Sequence, residues 1–310
     1  MIIVVAGAAG FLGSHFCEKL LHLGHQVIGL DDLSTGYLSN LDFELGRQGN
    51  FKFIEHDVRV SFDIRCDAIV NFACPASPIH YQADPIRTIE TTFLGTRNLL
   101  RLAQSNTARF LQASTSEVYG DPLSSPQRES DWGNVNPIGI RSCYDEGKRA
   151  AESLCFDFKR MYNLDIRVMR IFNTYGPRMA ENDGRVVSNF ITQALQDKEI
   201  TIYGDGLQTR SFCFVSDLIE GVANFLFSRG KFNTPINLGN NEESYVKDLA
   251  DLIILLTKSN SKITYLPLPG DDPKRRKPDL SQALELLNYA PTIDLREGLN
   301  ETIDYFKRRL

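Results

Sequence analysis

The sequence predicts an α/β fold: a doubly wound parallel sheet with helices on both faces, joined to a smaller C-terminal lobe. Three observations predict it. Short β-branched runs alternate with segments of helical period over the first half of the 310-residue chain. A glycine-rich turn joins the first run directly to the first helical segment. The second run ends in an aspartate pair about 20 residues beyond those glycines, the spacing of a Rossmann-type nucleotide unit.

Taken in order, residues 2–6, 26–30, 51–55, 68–72, 109–113 and 166–171 read as strands, apolar and rich in Val and Ile as doubly covered parallel strands are. Residues 11–23, 85–104 and 144–162 carry the helical period between them. The polar connection 123–139, with Pro126 and Pro137, is long enough to serve function. After residue 171 the alternation becomes irregular. Residues 175–183 read as a loop, and short strands are expected at 200–203, 212–215, 236–238 and 263–266. The expected division is therefore a Rossmann core over 1–171 and a lobe over 172–310, some of whose segments return to the core.

Composition narrows the function classes. Hydrophobic residues make up 42% and charged residues 24%, and the net charge is −5, which offers no basic field to a nucleic-acid backbone. No apolar run approaches the roughly 20 residues of a membrane span. Met1 leads straight into the first strand with no basic segment before it, so a cytoplasmic protein is expected. Six scattered cysteines and five dispersed histidines lack metal-ligand spacing; free thiols and no metal are expected.

The turn Gly7-Ala8-Ala9-Gly10-Phe11-Leu12-Gly13 lets backbone approach a pyrophosphate at a helix N-terminus, where free N–H groups and the dipole favour anions. Asp31 and Asp32 close the second strand, where a carboxylate binds ribose hydroxyls and repels a 2′-phosphate, so the expected cofactor is NAD rather than NADP. Asp57, closing the third strand, is a candidate for the adenine amino group. Tyr144 and Lys148 stand at i and i+4 on one helix face. A lysine ammonium one turn away, with a positive nicotinamide nearby, lowers a phenol whose ordinary pKa of about 10 is too high for a base. The segment Ser114-Thr115-Ser116-Glu117 follows the strand at 109–113 and places one carboxylate among hydroxyls.

With these residues in place the chain resembles the extended short-chain dehydrogenase/reductase family that acts on nucleotide sugars. The resemblance runs over nearly the whole chain. It is carried by Cys74-Pro75-Ala76-Ser77-Pro78 with Tyr81-Gln82, by 114–122, by Asn134-Val135-Asn136-Pro137-Ile138-Gly139, by 141–152 and by 170–179. It continues through 183–190, through 203–212, and through Asp271-Asp272-Pro273 with Arg276-Lys277-Pro278. The likeness is nearest to the branch that decarboxylates UDP-glucuronate. It implies oxidation of the sugar 4-hydroxyl with NAD, and it implies a homodimer packed through the helices at 85–104 and 144–162.

Residues 116–117 separate the branches. A 4,6-dehydratase of this family carries adjacent Asp-Glu, one carboxyl to protonate the leaving hydroxyl; Ser116 occupies the Asp position here. A 4-epimerase typically has small residues where Glu117 stands. Decarboxylation of a 4-keto uronate, a β-keto acid, asks only that the carboxylate be positioned and carbon 5 be protonated. Ser116-Glu117 fits that demand. Dehydration, epimerisation and decarboxylation of a related uronate such as UDP-N-acetylglucosaminuronate remain the alternatives, with a non-catalytic nucleotide-binding protein behind them.

By resemblance, Thr115 bonds the 4-oxygen, Tyr144 and Lys148 are catalytic, and Ser116 with Glu117 manages the carbon 5 proton. Arg276, within the basic run 274–277, is placed against the sugar carboxylate. The cofactor site is extended by Phe11, Leu12, Thr35, Gly36, Val58, Ala73 and Thr88, and the UDP-sugar by Arg87, Asn173, Arg185, Tyr203 and Arg210. One segment departs from the family: Arg87 and Glu90 stand where lysines are usual, and Thr92 where Asn or Ser is. Glu90 would repel a uronate if it faced the site.

Overall fold

A computed structural model describes residues 1–42, 49–181, 183–267 and 275–310. The β-branched runs form β1 (Ile2–Ala6), β2 (Gln26–Asp31), β3 (Phe51–Glu55), β4 (Ala68–Asn71), β5 (Arg109–Thr115) and β6 (Ile166–Ile171). The helical segments between them form α1 (Phe11–His22), α2 (Pro78–Ala83), α3 (Pro85–Glu90), α4 (Thr96–Asn106) and α5 (Ser142–Tyr162). Beyond β6 come β7 (Thr174–Tyr175), α6 (Val186–Leu195), β8 (Ile200–Tyr203), β9 (Thr209–Ser211), β10 (Cys213–Phe214) and α7 (Val215–Phe227). The chain ends with β11 (Ile236–Leu238), β12 (Glu243–Tyr245), α8 (Val246–Thr257), β13 (Ile263–Leu266), β14 (Arg275–Arg276), α9 (Ser281–Leu287) and α10 (Leu295–Lys307).

The main sheet is parallel throughout, in the order β11-β6-β5-β4-β1-β2-β3. Side chains alternate across it. Ile3 and Val5 join Phe16, Leu20, Leu218 and Val222 on one face, while Val4 and Ala6 join Leu99, Ala103 and Cys155 on the other. Both faces are thus buried, which explains strands without polar alternation. The first cluster continues into Ile200, Ile202, Leu249, Ile303 and Phe306 of the C-terminal segments.

Two sequence expectations are corrected. The helix expected at 85–104 is broken by a π-helical turn, Thr91–Gly95. Thr92 Oγ1 bonds the Thr88 carbonyl at 2.8 Å, and a Cβ at Gly95 would lie 2.6 Å from Val58, so the wider turn belongs to this contact. The strand expected at 212–215 is shortened to β10, Cys213–Phe214, because Val215 already opens α7. The segment 236–238, as β11, pairs with β6 and completes the main sheet. The lobe itself holds a β8–β13 pair and a three-stranded sheet, β12-β9-β14.

Candidate active site

A cleft of about 350 Å³ opens over the C-terminal ends of β1, β4, β5 and β6, where open α/β sheets bind ligands. At its nucleotide end, Gly7 has φ +78°, and a Cβ there would sit 2.8 Å from the Ala73 nitrogen. A Cβ on Gly13 would lie 1.9 Å from the Gly7 carbonyl oxygen, so α1 starts flat against the turn. Gly10 caps α1 without a side-chain bond, which leaves the first-turn N–H groups to an anion. This cradle fits a dinucleotide pyrophosphate. Asp31 accepts N–H bonds from Ala9 and Leu33, both at 2.9 Å, and so ties the end of β2 to the turn.

Gly7, Gly10, Phe11, Leu12, Gly13 and Thr35 line this end, and Gly36 lies close to Ala9 and Asp31. Several other expected cofactor and substrate residues do not line the cleft. Asp57 is held by the Arg59 guanidinium at 2.7 Å. Val58 is buried, and the Thr88 hydroxyl bonds backbone carbonyls of Tyr81 and Asp84. The Ala73 nitrogen donates to Asn71. Asp32 and Arg87 bond each other at 2.8 Å. Tyr203 is half exposed on β8, away from the cleft lining. Glu90 is turned to Arg59, 3.1 Å away, so its inverted charge faces the Asp57 pair and not the cleft.

At the reacting end, α5 carries Tyr144 and Lys148 into the wall. Lys148 Nζ donates to the Ala113 carbonyl at 2.9 Å and lies 5.7 Å from the Tyr144 ring centre. Burial, and then the Cys74 thiol, push the Tyr144 phenol above its ordinary value, while a hydrogen bond with Thr115 opposes them. In the protein alone, burial thus sets the phenol above its ordinary value, opposite to the lowering expected from the sequence. The Tyr81 ring stacks on Tyr144 with centroids 5.1 Å apart and planes at 9°.

Glu117 is the centre of charge. Arg276 Nε and Nη2 each approach it at 3.2 Å, Arg141 donates to Oε2, and the Ser116 hydroxyl donates to Oε1 at 3.2 Å. Burial alone would raise this carboxyl, but the Arg276 and Arg141 charges prevail and hold it at about 2. Arg276 is 2% exposed and also donates to the Gly120 carbonyl at 2.7 Å. Its strand β14 pairs with β9 so that Arg276 lies beside Arg210, which lines the same end. Among the described residues of the basic run, Arg275 is exposed, Lys277 pairs with Glu243 at 3.0 Å, and Arg276 turns inward. Asp271, Asp272, Pro273 and Lys274 lie outside the described residues.

Asn173 lines the cleft, as does Arg185, whose guanidinium is held by Asp183 and lies 5.8 Å from the Phe11 ring. Behind the site, Arg170 forks onto Glu152 at 3.0 and 2.8 Å, and Ser114 donates to the same carboxylate at 2.5 Å. These bonds fix β5, β6 and α5 together beneath the reacting residues. Sequence reasoning missed Arg141, Tyr81 and Asp145. Arg141 stands three residues before Tyr144 and four before Asp145, a helical spacing that could have drawn attention to it. Nothing in the sequence pairs Tyr81 with Tyr144. Among the described residues, no group of three His, Cys, Asp or Glu side chains is arranged to hold a metal ion.

Known proteins are similar to this chain over nearly its whole length. The family model for the NAD dependent epimerase/dehydratase family matches residues 3–239. The chain is 50% identical over 308 residues to UDP-glucuronic acid decarboxylase 1 of Danio rerio, covering 99% of this chain and 73% of that one. It is 50% identical over 311 residues to UDP-glucuronic acid decarboxylase 6 of Arabidopsis thaliana, covering 100% and 90%. Among solved structures it is similar to UDP-glucose 4-epimerase of Thermotoga maritima with UDP-glucose (TM-score 0.91, 28% identity, 100% and 99% covered). The UDP-glucuronic acid 4-epimerase of Bacillus cereus, in complex with UDP-glucuronic acid and NAD, superposes with TM-score 0.89 at 28% identity, each chain fully covered.

Proposed function

The chain belongs to the NAD dependent epimerase/dehydratase family, and we propose that within it this protein is a decarboxylase converting UDP-glucuronate to UDP-xylose through a 4-keto intermediate. The observation that carries this reading is the junction of Glu117, Arg276 and Tyr144 at one end of the cleft, in a chain half identical to UDP-glucuronic acid decarboxylases along its whole length. Solved epimerases share the fold at 28% identity, so fold similarity by itself does not choose between the two reactions.

NAD is the cofactor; bound along the glycine turn, it would supply the hydride acceptor for carbon 4. Gly7, Gly10 and Gly13 admit its pyrophosphate. Tyr144 takes the 4-hydroxyl proton, and Thr115 bonds the 4-oxygen as charge develops on it. Lys148, held by the Ala113 carbonyl, keeps a positive charge against the Tyr144 ring and so favours the phenolate. Arg276 engages the uronate carboxylate and holds it out of the ring plane. Once carbon 4 is a ketone, the bond between carbons 5 and 6 breaks and its electron pair passes into the enolate. Carbon dioxide leaves, and Glu117 with Ser116 directs a proton to carbon 5. The hydride first taken from carbon 4 then returns to it, and the Tyr144 proton returns to the 4-oxygen, which leaves the 4-hydroxyl of UDP-xylose. Asn173, Arg185 and Arg210 take the nucleotide diphosphate and its ribose.

Glu117 is bound to both guanidiniums before any uronate arrives. A substrate carboxylate therefore competes with Glu117 for Arg276. As it takes that charge, Glu117 regains proton affinity at the step that needs it.

We further place the protein in the cytoplasm as a homodimer. No helix among the described residues is long and apolar enough to cross a membrane, and all six cysteines are free thiols. Ile86, 68% exposed on α3, and Phe93, 37% exposed on the following turn, leave an apolar edge that supports pairing through this region.

The direct test is to incubate the purified protein with UDP-glucuronate and NAD and follow carbon dioxide. UDP-glucose, dTDP-glucose and UDP-N-acetylglucosaminuronate serve as parallel substrates. Carbon dioxide with UDP-xylose is the expected result. A UDP-uronate epimer with the carboxyl retained, or a 4-keto-6-deoxy sugar from a neutral hexose, would reject the reading.

A further inference from the structure

Asp145, one position past Tyr144 on α5, is a buried carboxylate with no role in the scheme above. Its Oδ2 lies 3.7 Å from Arg141 Nε, while Arg141 Nη2 donates to Glu117. One guanidinium thus stands between two carboxylates, one facing the cleft and one behind it. Among the described residues, Asp145 Oδ1 is buried without a hydrogen-bond partner, as is the Tyr81 hydroxyl. The sequence argument counted one carboxylate beside Ser116; the fold supplies a second from the helix.

We propose that Asp145 is a positioning residue for Glu117: its ionisation decides how much of the Arg141 charge Glu117 keeps, and so how readily Glu117 handles the proton at carbon 5. This rests on the role given to Glu117 above. The groups facing Asp145 are Cys143 and Tyr144 of its own helix, Arg141 at the N-cap of that helix, Glu117 after β5, Arg276 of β14 and Tyr81 of α2. Burial, then the Glu117 charge, push Asp145 up to about 7, with Arg141 and Arg276 opposing. Glu117 is held at about 2 by the same arginines. Two carboxyls driven apart by their surroundings divide the work between them.

The sign follows from sharing. With Asp145 neutral, Arg141 serves Glu117 alone and suppresses its proton affinity. As Asp145 ionises it draws on Arg141, and the proton affinity of Glu117 rises. Wild-type turnover therefore gains, as pH rises through the neutral range, over that of a variant whose residue 145 stays neutral.

The test is the pH dependence of carbon dioxide release from UDP-glucuronate by the full chain with NAD, for wild type, Asp145→Asn, Arg141→Lys and Glu117→Gln. The ratio of wild-type kcat to Asp145→Asn kcat is expected to climb about tenfold between about pH 6 and about pH 8, as one pK step of Glu117 would give. The two should match near pH 6, with KM differing less than about twofold throughout. Arg141→Lys, a point charge that cannot hold both carboxylates, should fall behind wild type in the same way and serves if the asparagine variant does not fold. A ratio that stays flat across this range for the folded variants overturns the proposal. Wild-type turnover by Glu117→Gln would instead overturn the role of Glu117 itself.

Discussion

At the scale of single residues, the site is governed by how three buried charges settle around Glu117. Its folded-state pKa is depressed from 4.5 to about 2, so the stability it contributes is complete above about 4.5 and is lost as pH falls toward 2. That interval is worth on the order of 3 kcal/mol. Glu117→Gln should therefore be less stable than wild type in urea at neutral pH, with the gap closing as pH is lowered from about 5 to about 3. A gap independent of pH would show that Glu117 is not held by the two guanidiniums. Tyr144→Phe removes the proton carrier but keeps the ring stacked on Tyr81. It should lose at least about a thousandfold in kcat while its melting temperature and NAD content stay near wild type. Unchanged turnover would shift the base elsewhere.

At the scale of elements, two short pieces decide what the cleft can hold. The turn before α1 closes on itself so tightly that Gly13→Ala would place a Cβ 1.9 Å from a backbone oxygen. The helix start must then move. The variant should lose retained NAD and be destabilised by about 1–3 kcal/mol or more, read from NAD absorbance in the purified protein and from thermal unfolding. The two-residue strand β14 turns Arg276 inward and Arg275 outward. Arg276→Ala leaves Glu117 with one guanidinium fewer in a buried site, which costs about 3–5 kcal/mol. It should also reduce decarboxylation more than a hundredfold, about 3 kcal/mol of barrier. If uronate turnover survives while stability falls, Arg276 is a structural arginine only.

At the scale of the whole molecule, the same helices that build the site leave an apolar edge. α3 and α5 pack on each other, with Gly147 facing Ile89 and Thr92, while Ile86 and Phe93 stay accessible. Replacing both with aspartate should convert the protein to a monomer in sedimentation velocity without unfolding it. A wild-type monomer, or a dimer that survives both changes, would remove this face from the assembly. The parallel sheet, the glycine turn and the Tyr-Lys face of α5 were legible in the sequence because each follows from local rules: residue period, backbone clearance and helical spacing. So were Glu117 and its hydroxyl neighbours, which sit together in the chain. Long-range placement was not legible. Which arginine of 274–277 turns inward depends on the pairing of β14 with β9. Whether Glu90 meets the cleft depends on Arg59, thirty-one residues away. Arg141 bridges Glu117 and Asp145 only because α5 packs against the turn after β5. The sequence by itself determined the fold class, the glycine turn that opens the cleft and the Tyr144–Lys148 face of its wall. The charge state of the reacting end was decided by tertiary structure alone, because burial and the distances between guanidinium and carboxylate exist only once distant segments have met.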